Sequence, residues 1–309
     1  MKRDFLSLLD CSRAELEALL DLAARLKRDL KTGRAQPLLA GKSLAMIFEK
    51  PSLRTRVTFE VGMSQLQGHA VYLAPGDIRL GERESVADVA RNLCRWVDAI
   101  MARTFAHATL QELSRHATVP VINGLSDLLH PCQILSDCQT LLERFARLDT
   151  LRVAFIGDAN NVANSWMNGA ARFGFEFALA CPPGYDPQPA VLEAARAAGG
   201  KITVTHDPAE AATDAHMLYT DVWTSMGQEG EVAQRRRDFA RYRIDGALLR
   251  AARPDAVVMH CLPAHRGEEI TAEVLDGPRS IVFDQAENRL HAQKAVLVWL
   301  LTGGVGTPR

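Results

Sequence analysis

The chain has 309 residues, 47% of them hydrophobic and 24% charged, with a formal net charge of -1. That length exceeds one ordinary core and suits two α/β domains of about 150 residues each. The near-neutral charge excludes a general nucleic-acid or polyanion binder, so any anion has to be held by a local site.

The N-terminal stretch has Lys2 and Arg3 before Leu6, Leu8 and Leu9, but Asp4 and Asp10 interrupt it, which is too short and too charged for a signal peptide. Ser12-Arg13-Ala14-Glu15 is a capping box that opens an amphipathic helix to about residue 30. Residues 43–48 read as a buried strand, and a helix over 53–66 follows with Val57, Phe59, Val61, Met63 and Leu66 as its apolar positions. Between them lies Ser52-Leu53-Arg54-Thr55. A first helical turn leaves backbone N–H groups unpaired at the positive end of the dipole, and two hydroxyls and a guanidinium there suit a phosphate dianion. A plain N-cap with solvated arginines is the bland alternative.

Further strands are expected at 70–73, 99–101 and 119–122, with helices over 86–96 and 110–116, giving a βα-repeating domain with a mainly parallel sheet. Pro131 is well placed to open a helix to about residue 145, which we read as the bridge between domains. A second series runs through 151–157, 175–180, 202–205, 216–220 and 256–260. A last strand at 280–283 precedes a helix over 288–301, and the tail 303–309 is expected to be disordered. The apolar run at 295–301 falls far short of a membrane span. The six cysteines are scattered without a C-x-x-C pair, which argues against a disulfide framework or zinc ribbon and fits a reducing cytoplasm.

Open parallel sheets bind ligands outside the carboxyl ends of their strands. Ser52, Arg103-Thr104, Asn160-Asn161, Asp221 and His260-Cys261 all fall at such ends, so one large site in a cleft between the domains is expected. His130-Pro131-Cys132-Gln133 puts an imidazole and a carboxamide at one helix start, offering donors and an acceptor for a small planar amide, although a lone His there is more often a cap. Cys261 is either an inert core thiol, the commoner case, or a site residue, and its place between His260 and Leu262-Pro263 favours the second. Asp221, in a loop with Ser225-Met226-Gly227, calls for a cationic ligand or a local arginine.

Taken in order with Glu287-Asn288-Arg289, these motifs resemble the aspartate/ornithine carbamoyltransferase family from residue 5 to about 301. The resemblance implies two doubly wound α/β domains with central parallel sheets: 1–135 joined by a returning helix 289–302, and 149–288. It implies transfer of the carbamoyl group of carbamoyl phosphate to the δ-amine of L-ornithine, giving citrulline and phosphate in arginine metabolism. Carried over by position, carbamoyl phosphate falls to Ser52, Leu53, Arg54, Thr55, Arg103, His130, Gln133, Cys261, Leu262 and Arg289. Ornithine falls to Asn161, Asp221, Ser225 and Met226, and the catalytic roles to Arg103, His130, Cys261 and Asp221. A cis Leu262-Pro263 bond and a cytoplasmic homotrimer, or a multiple of trimers, are implied. No cofactor, metal, nucleic acid or membrane is.

Two departures stand out. Leu53 replaces the commoner Thr, which removes a hydroxyl but keeps a backbone N–H, and Arg79 stands in the 75–81 loop near where some relatives place Gln. Among acceptors, aspartate is disfavoured by the Asp221 loop, while acylated ornithines and putrescine are closer rivals. The run 153–157 resembles the start of a dinucleotide unit, but Ala159-Asn160-Asn161 replaces the glycine-rich phosphate turn. A catalytically silent binding protein of the same fold stays open.

Overall fold

The computed structural model describes residues 2–225 and 227–304; Met226 and the 305–309 part of the tail lie outside that description. The chain divides into two units, residues 1–140 with 287–309 and residues 141–286.

In the first unit, Ser12 and Glu15 cap α1 (Arg13–Lys31) reciprocally, Glu15 N donating to Ser12 Oγ at 3.3 Å and Ser12 N to Glu15 Oε2 at 2.8 Å. The following elements are β1 (Ser43–Phe48), α2 (Leu53–Gln65), β2 (His69–Leu73), α3 (Pro75–Ile78), α4 (Val86–Leu93), β3 (Ala99–Arg103), α5 (His107–His116), β4 (Val121–Leu125) and α6 (Pro131–Phe145). The sheet order is β2-β1-β3-β4, all parallel. The central strands β1 and β3 are almost entirely buried, which explains their uninterrupted apolar runs: helices cover both faces of a parallel sheet.

The second unit carries β5 (Arg152–Ile156), α7 (Asn161–Phe173), β6 (Glu176–Ala180), α8 (Pro189–Ala197), β7 (Lys201–Thr205), α9 (Pro208–Ala212), β8 (Met217–Thr220), α10 (Val232–Asp238), α11 (Gly246–Ala251), β9 (Val257–His260) and α12 (Ala272–Leu275). Its parallel sheet has the order β7-β6-β5-β8-β9. The division between units falls inside α6 and again inside α13 (Val282–Thr302). From Glu287 onward α13 belongs to the first unit, where Lys27 Nζ donates to Asn288 Oδ1 at 2.8 Å and Asn288 Nδ2 donates to Thr140 Oγ1 at 2.9 Å. The C-terminal helix thus returns to the first unit, as expected.

Three local expectations change. The strand expected at 280–283 is reduced to one bridge, Ser280 with Val258; Ile281 N donates to Val258 O, and Gln285 N then donates to Ile281 O, starting the long helix. Val57 and Val61 are not core positions of α2: they are 44% and 38% exposed, while Phe59 and Met63 are buried. Residues spaced by two in a helix point about 200° apart, so the alternating pattern marked two faces instead of one. The 75–81 segment opens with the single turn α3, which ends at exposed Arg79 with φ +45°.

Candidate active site

The first cluster is built at the carboxyl ends of β1 and β3. Ser52 caps α2, its Oγ accepting from Thr55 N at 3.2 Å. Leu53 turns its side chain outward, 73% exposed, so its contribution to a site rests on the backbone N–H of the first turn. Arg103 ends β3, where the pairing with β4 slips between Ala102 and Arg103; such bulges re-aim a side chain. His130 precedes Pro131, the first residue of α6, and Gln133 lies one turn on. From α13, Arg289 donates to Gln133 Oε1 and, through Nη2 at 3.2 Å, to Thr55 Oγ1. Gln133 Nε2 in turn donates to Asp137 Oδ1 at 2.8 Å. Arg289 therefore clamps α2 to α6, and Thr55, Arg103, His130, Gln133 and Arg289 are all buried.

The electrostatics are one-sided. Burial pushes the His130 imidazole well below its usual range, and Arg289, Arg103, Arg54 and Lys50 push it further. It is a neutral ring in a positive field. Lys50 was not singled out from the sequence; it is buried, with Nζ 4.7 Å from the centre of the Phe105 ring. Burial and then Arg103 lower its pKa. Its neighbourhood in Phe48-Glu49-Lys50-Pro51, beside the phosphate-type turn, was the available signal. Such a cluster is suited to an anion next to a planar polar group.

The second cluster is built at the ends of β5, β8 and β9. The pairing of Thr220 with His260 puts Asp221 and Cys261 side by side. Cys261 Sγ donates to Asp221 Oδ1 at 2.9 Å, as does Val222 N at 2.8 Å. Asn160 Nδ2 donates to Asp221 Oδ2 at 2.9 Å, while its Oδ1 caps α7 by accepting from Val162 N and Ala163 N. Asn161 is the first residue of α7. Asn160, noted from the sequence only as part of a motif, is thus the residue that orients Asp221. Ser225 lies in the loop after β8, its N–H held by Gln228 Oε1 at 3.0 Å. That loop is braced by buried Arg235, which donates to Trp223 O at 2.9 Å and to Asp158 Oδ2 at 2.8 Å. Arg235 also donates to Glu231 Oε2 at 2.7 Å, four residues back; its contacts with Asp158 and Trp223 O, which brace the loop, left no linear signal.

His260 turns away from Cys261. Its Nδ1 accepts from Leu262 N at 2.8 Å, so the proton sits on Nε2 and is donated to buried Glu269 at 3.0 Å. The imidazole aligns the 261–263 backbone and does not serve as a base for the thiol; Leu262 has φ +58° and the Leu262-Pro263 bond is cis, as the resemblance implied. Asp221, His260 and Cys261 also present three metal-ligand atoms within 4.8 Å of one another, but both ring nitrogens of His260 are already engaged. Of the expected site residues, Ser52, Leu53, Arg54, Thr55, Arg103, His130, Gln133 and Arg289 lie in the first unit. Asn161, Asp221, Ser225, Cys261 and Leu262 lie in the second.

Comparison with known proteins agrees over the whole length. The carbamoyl-P binding domain of the aspartate/ornithine carbamoyltransferases matches residues 3–143, and the Asp/Orn binding domain of that family matches residues 149–300. The ornithine carbamoyltransferase of Methanoculleus marisnigri is 58% identical over 307 residues, covering 99% of each chain. The crystal structure of the Thermus thermophilus ornithine carbamoyltransferase shares 51% identity, covering 97% of this chain and 99% of that one with a TM-score of 0.89. The Pyrococcus furiosus ornithine carbamoyltransferase superimposes with a TM-score of 0.94 at 49% identity, covering 98% of this chain and 97% of that one.

Proposed function

The chain belongs to the aspartate/ornithine carbamoyltransferase family, and from that membership we propose that it is the enzyme that carbamoylates the δ-amine of L-ornithine with carbamoyl phosphate, releasing citrulline and phosphate. The observation that carries the choice of acceptor is the Asp221 carboxylate, fixed by Asn160, Val222 N–H and the Cys261 thiol. It suits the α-ammonium of ornithine and would repel a dicarboxylate such as aspartate.

Carbamoyl phosphate belongs to the first unit in this reading. Ser52, Arg54, the N–H groups of the α2 first turn and Arg103 take the phosphate; Thr55, Arg103 and His130 face the carbamoyl oxygen; Gln133, oriented by Arg289, takes the amide. Ornithine is assigned to the second unit, its binding residues being Asn161, Asp221, Ser225 and Met226. The reaction requires the two bound substrates to meet. The δ-nitrogen lone pair attacks the carbamoyl carbon, a tetrahedral oxyanion forms, and the bond between the carbamoyl carbon and the bridging oxygen breaks with its electron pair leaving on phosphate. The attacking nitrogen gives up one proton, which the departing phosphate takes. Catalysis is then orientation plus preorganised positive charge, and the neutral His130 donates a hydrogen bond to the oxyanion without having to titrate. The acceptor must be a free amine; alkyl ammonium groups have a pKa of about 10.4, so turnover rises toward alkaline pH.

Trimeric assembly is part of the same reading; the outward Leu53, Val57, Val61 and Val71 in the first unit support it. We place the enzyme in the cytoplasm, a reading that the six free cysteines favour; among the described residues no helix is long and apolar enough to cross a membrane. Formation of the carbamoylated product from carbamoyl phosphate, with ornithine, N-acetylornithine, putrescine and aspartate offered in parallel, tests the function. Activity with ornithine alone is expected. Activity with a different acceptor moves the error to the Asp221 side, and inactivity with all four refutes catalysis.

A further inference from the structure

A second group of ligand-type side chains stands apart from the Asp221–Cys261 cluster, at the other end of the same sheet. Cys181 follows β6 and His206 follows β7, and the pairing of Ala180 with Thr205 places these two strand exits side by side. Asp186 returns to them through Pro182-Pro183-Gly184, where Gly184 takes φ +87° and donates its N–H to Asp186 Oδ2 at 3.3 Å. Cys181 Sγ lies 3.9 Å from Asp186 Oδ1, His206 Nε2 lies 3.7 Å from the same oxygen, and all three ligand atoms fall within 4.8 Å of one another.

We propose that Cys181, Asp186 and His206 form a site for a divalent cation of the zinc class. Three arguments carry it. The first is geometric. Tetrahedral zinc bonds of about 2.0 Å to oxygen and nitrogen and about 2.3 Å to sulfur put the ligand atoms roughly 3.3–3.5 Å apart, so the two separations to Asp186 need to close by about 0.4 Å and that between Cys181 and His206, which is within 4.8 Å, by at most about 1.3 Å. The second is the tautomer. His206 Nδ1 lies 2.8 Å from Cys181 O, so it carries the proton and donates it, which leaves the Nε2 lone pair on the side of Asp186. A backbone carbonyl on the far ring nitrogen is how metal-bound histidines are held. His206 O in turn accepts from Tyr242 OH at 2.8 Å, which fixes the strand exit from behind. The third is the donor set: one sulfur, one imidazole nitrogen and one carboxylate oxygen select zinc over magnesium or calcium. The side chains of Asp186 and His206 are about half exposed, so a fourth position opens to water. A bound ion would cross-link the exits of β6 and β7 to the 181–186 turn.

The test uses the untagged full-length protein, stripped of metal and titrated with Co2+, whose thiolate complexes show an ultraviolet charge-transfer band. Wild type should develop the band with heat stabilisation, and Cys261→Ser should retain it. Cys181→Ser should abolish it, and Asp186→Asn should weaken Co2+ binding at least about tenfold, the lower end of what even outer partners of a metal site contribute. Asp186→Asn changes a half-exposed side chain and keeps the test decisive if Cys181→Ser does not fold. No band in wild type, loss of the band in Cys261→Ser, or unchanged affinity in Asp186→Asn each overturns the proposal.

Discussion

His130 offers the sharpest test of the mechanism, because its environment assigns it one chemical state. The ring is buried beside Arg289, Arg103, Arg54 and Lys50, and all of these hold it neutral. In the proposed reaction the neutral imidazole donates a hydrogen bond to the carbamoyl oxygen, and its burial among cations disfavours the protonated form. Removing one preorganised donor to an oxyanion lowers kcat by about 10² to 10³, or about 2.7–4 kcal/mol of barrier. His130→Ala should fall at the upper end of that range and His130→Gln, which keeps an amide donor, at the lower end. The alkaline rise of kcat/KM belongs to the substrate amine, so its midpoint should be the same in both variants and in wild type. Steady-state rates across pH 6 to 10 measure both quantities. A midpoint that moves or vanishes in His130→Gln would make the ring the proton acceptor and refute the donor role. The same environment has a stability consequence. The folded state binds fewer protons at His130 than the unfolded chain does below the ordinary histidine value of about 6.5, so the contribution is complete above that pH and is lost as pH falls below it. Denaturant melts at pH 7 and pH 5 should therefore show a smaller acid loss in His130→Gln than in wild type.

Asn160→Ala removes both the cap of α7 and the donor to Asp221; it should cost about 1 kcal/mol of stability by chemical denaturation and raise KM for ornithine, with carbamoyl phosphate binding unchanged. Equal losses for both substrates would count against Asn160 as the orienter of Asp221. Cys261→Ala should weaken ornithine use more than carbamoyl phosphate binding, since its thiol donates to Asp221; matched calorimetric losses for the two ligands would contradict this. Arg54→Lys should weaken carbamoyl phosphate by tenfold or more, because an ammonium cannot reproduce a forked guanidinium contact, and an unchanged Kd would remove Arg54 from the phosphate site.

The elements with one dominant local signal were legible in the chain itself. The Ser12–Glu15 box set the start of α1, unbroken apolar runs marked β1, β3 and β5, and Ser52 marks the start of α2 because a side-chain oxygen there satisfies a first-turn backbone donor. The polar motifs at strand ends were legible for a related reason: a parallel sheet places its strand exits on one edge, so chain order alone lists the candidate residues of each unit. Other features depended on contacts between distant segments. Residues 280–283 carry an apolar pattern that serves a strand or a buried helix start equally, and the hydrogen bond from Gln285 N to Ile281 O decided for the helix. The motif Glu287-Asn288-Arg289 separates in space, with Glu287 and Asn288 meeting Lys27 of α1 and Arg289 reaching Thr55 and Gln133. Whether His260 serves the Cys261 thiol or the backbone was settled by Glu269 and Leu262 N–H, and the neutrality of His130 by its burial together with four cations that the fold gathers around it. The alignment of Cys181, Asp186 and His206 has no linear signature either, since it arises from the pairing of β6 with β7. Residue type and local order determined which groups this protein has to work with; burial and long-range pairing, which sequence order does not encode directly, determined their protonation, orientation and partners.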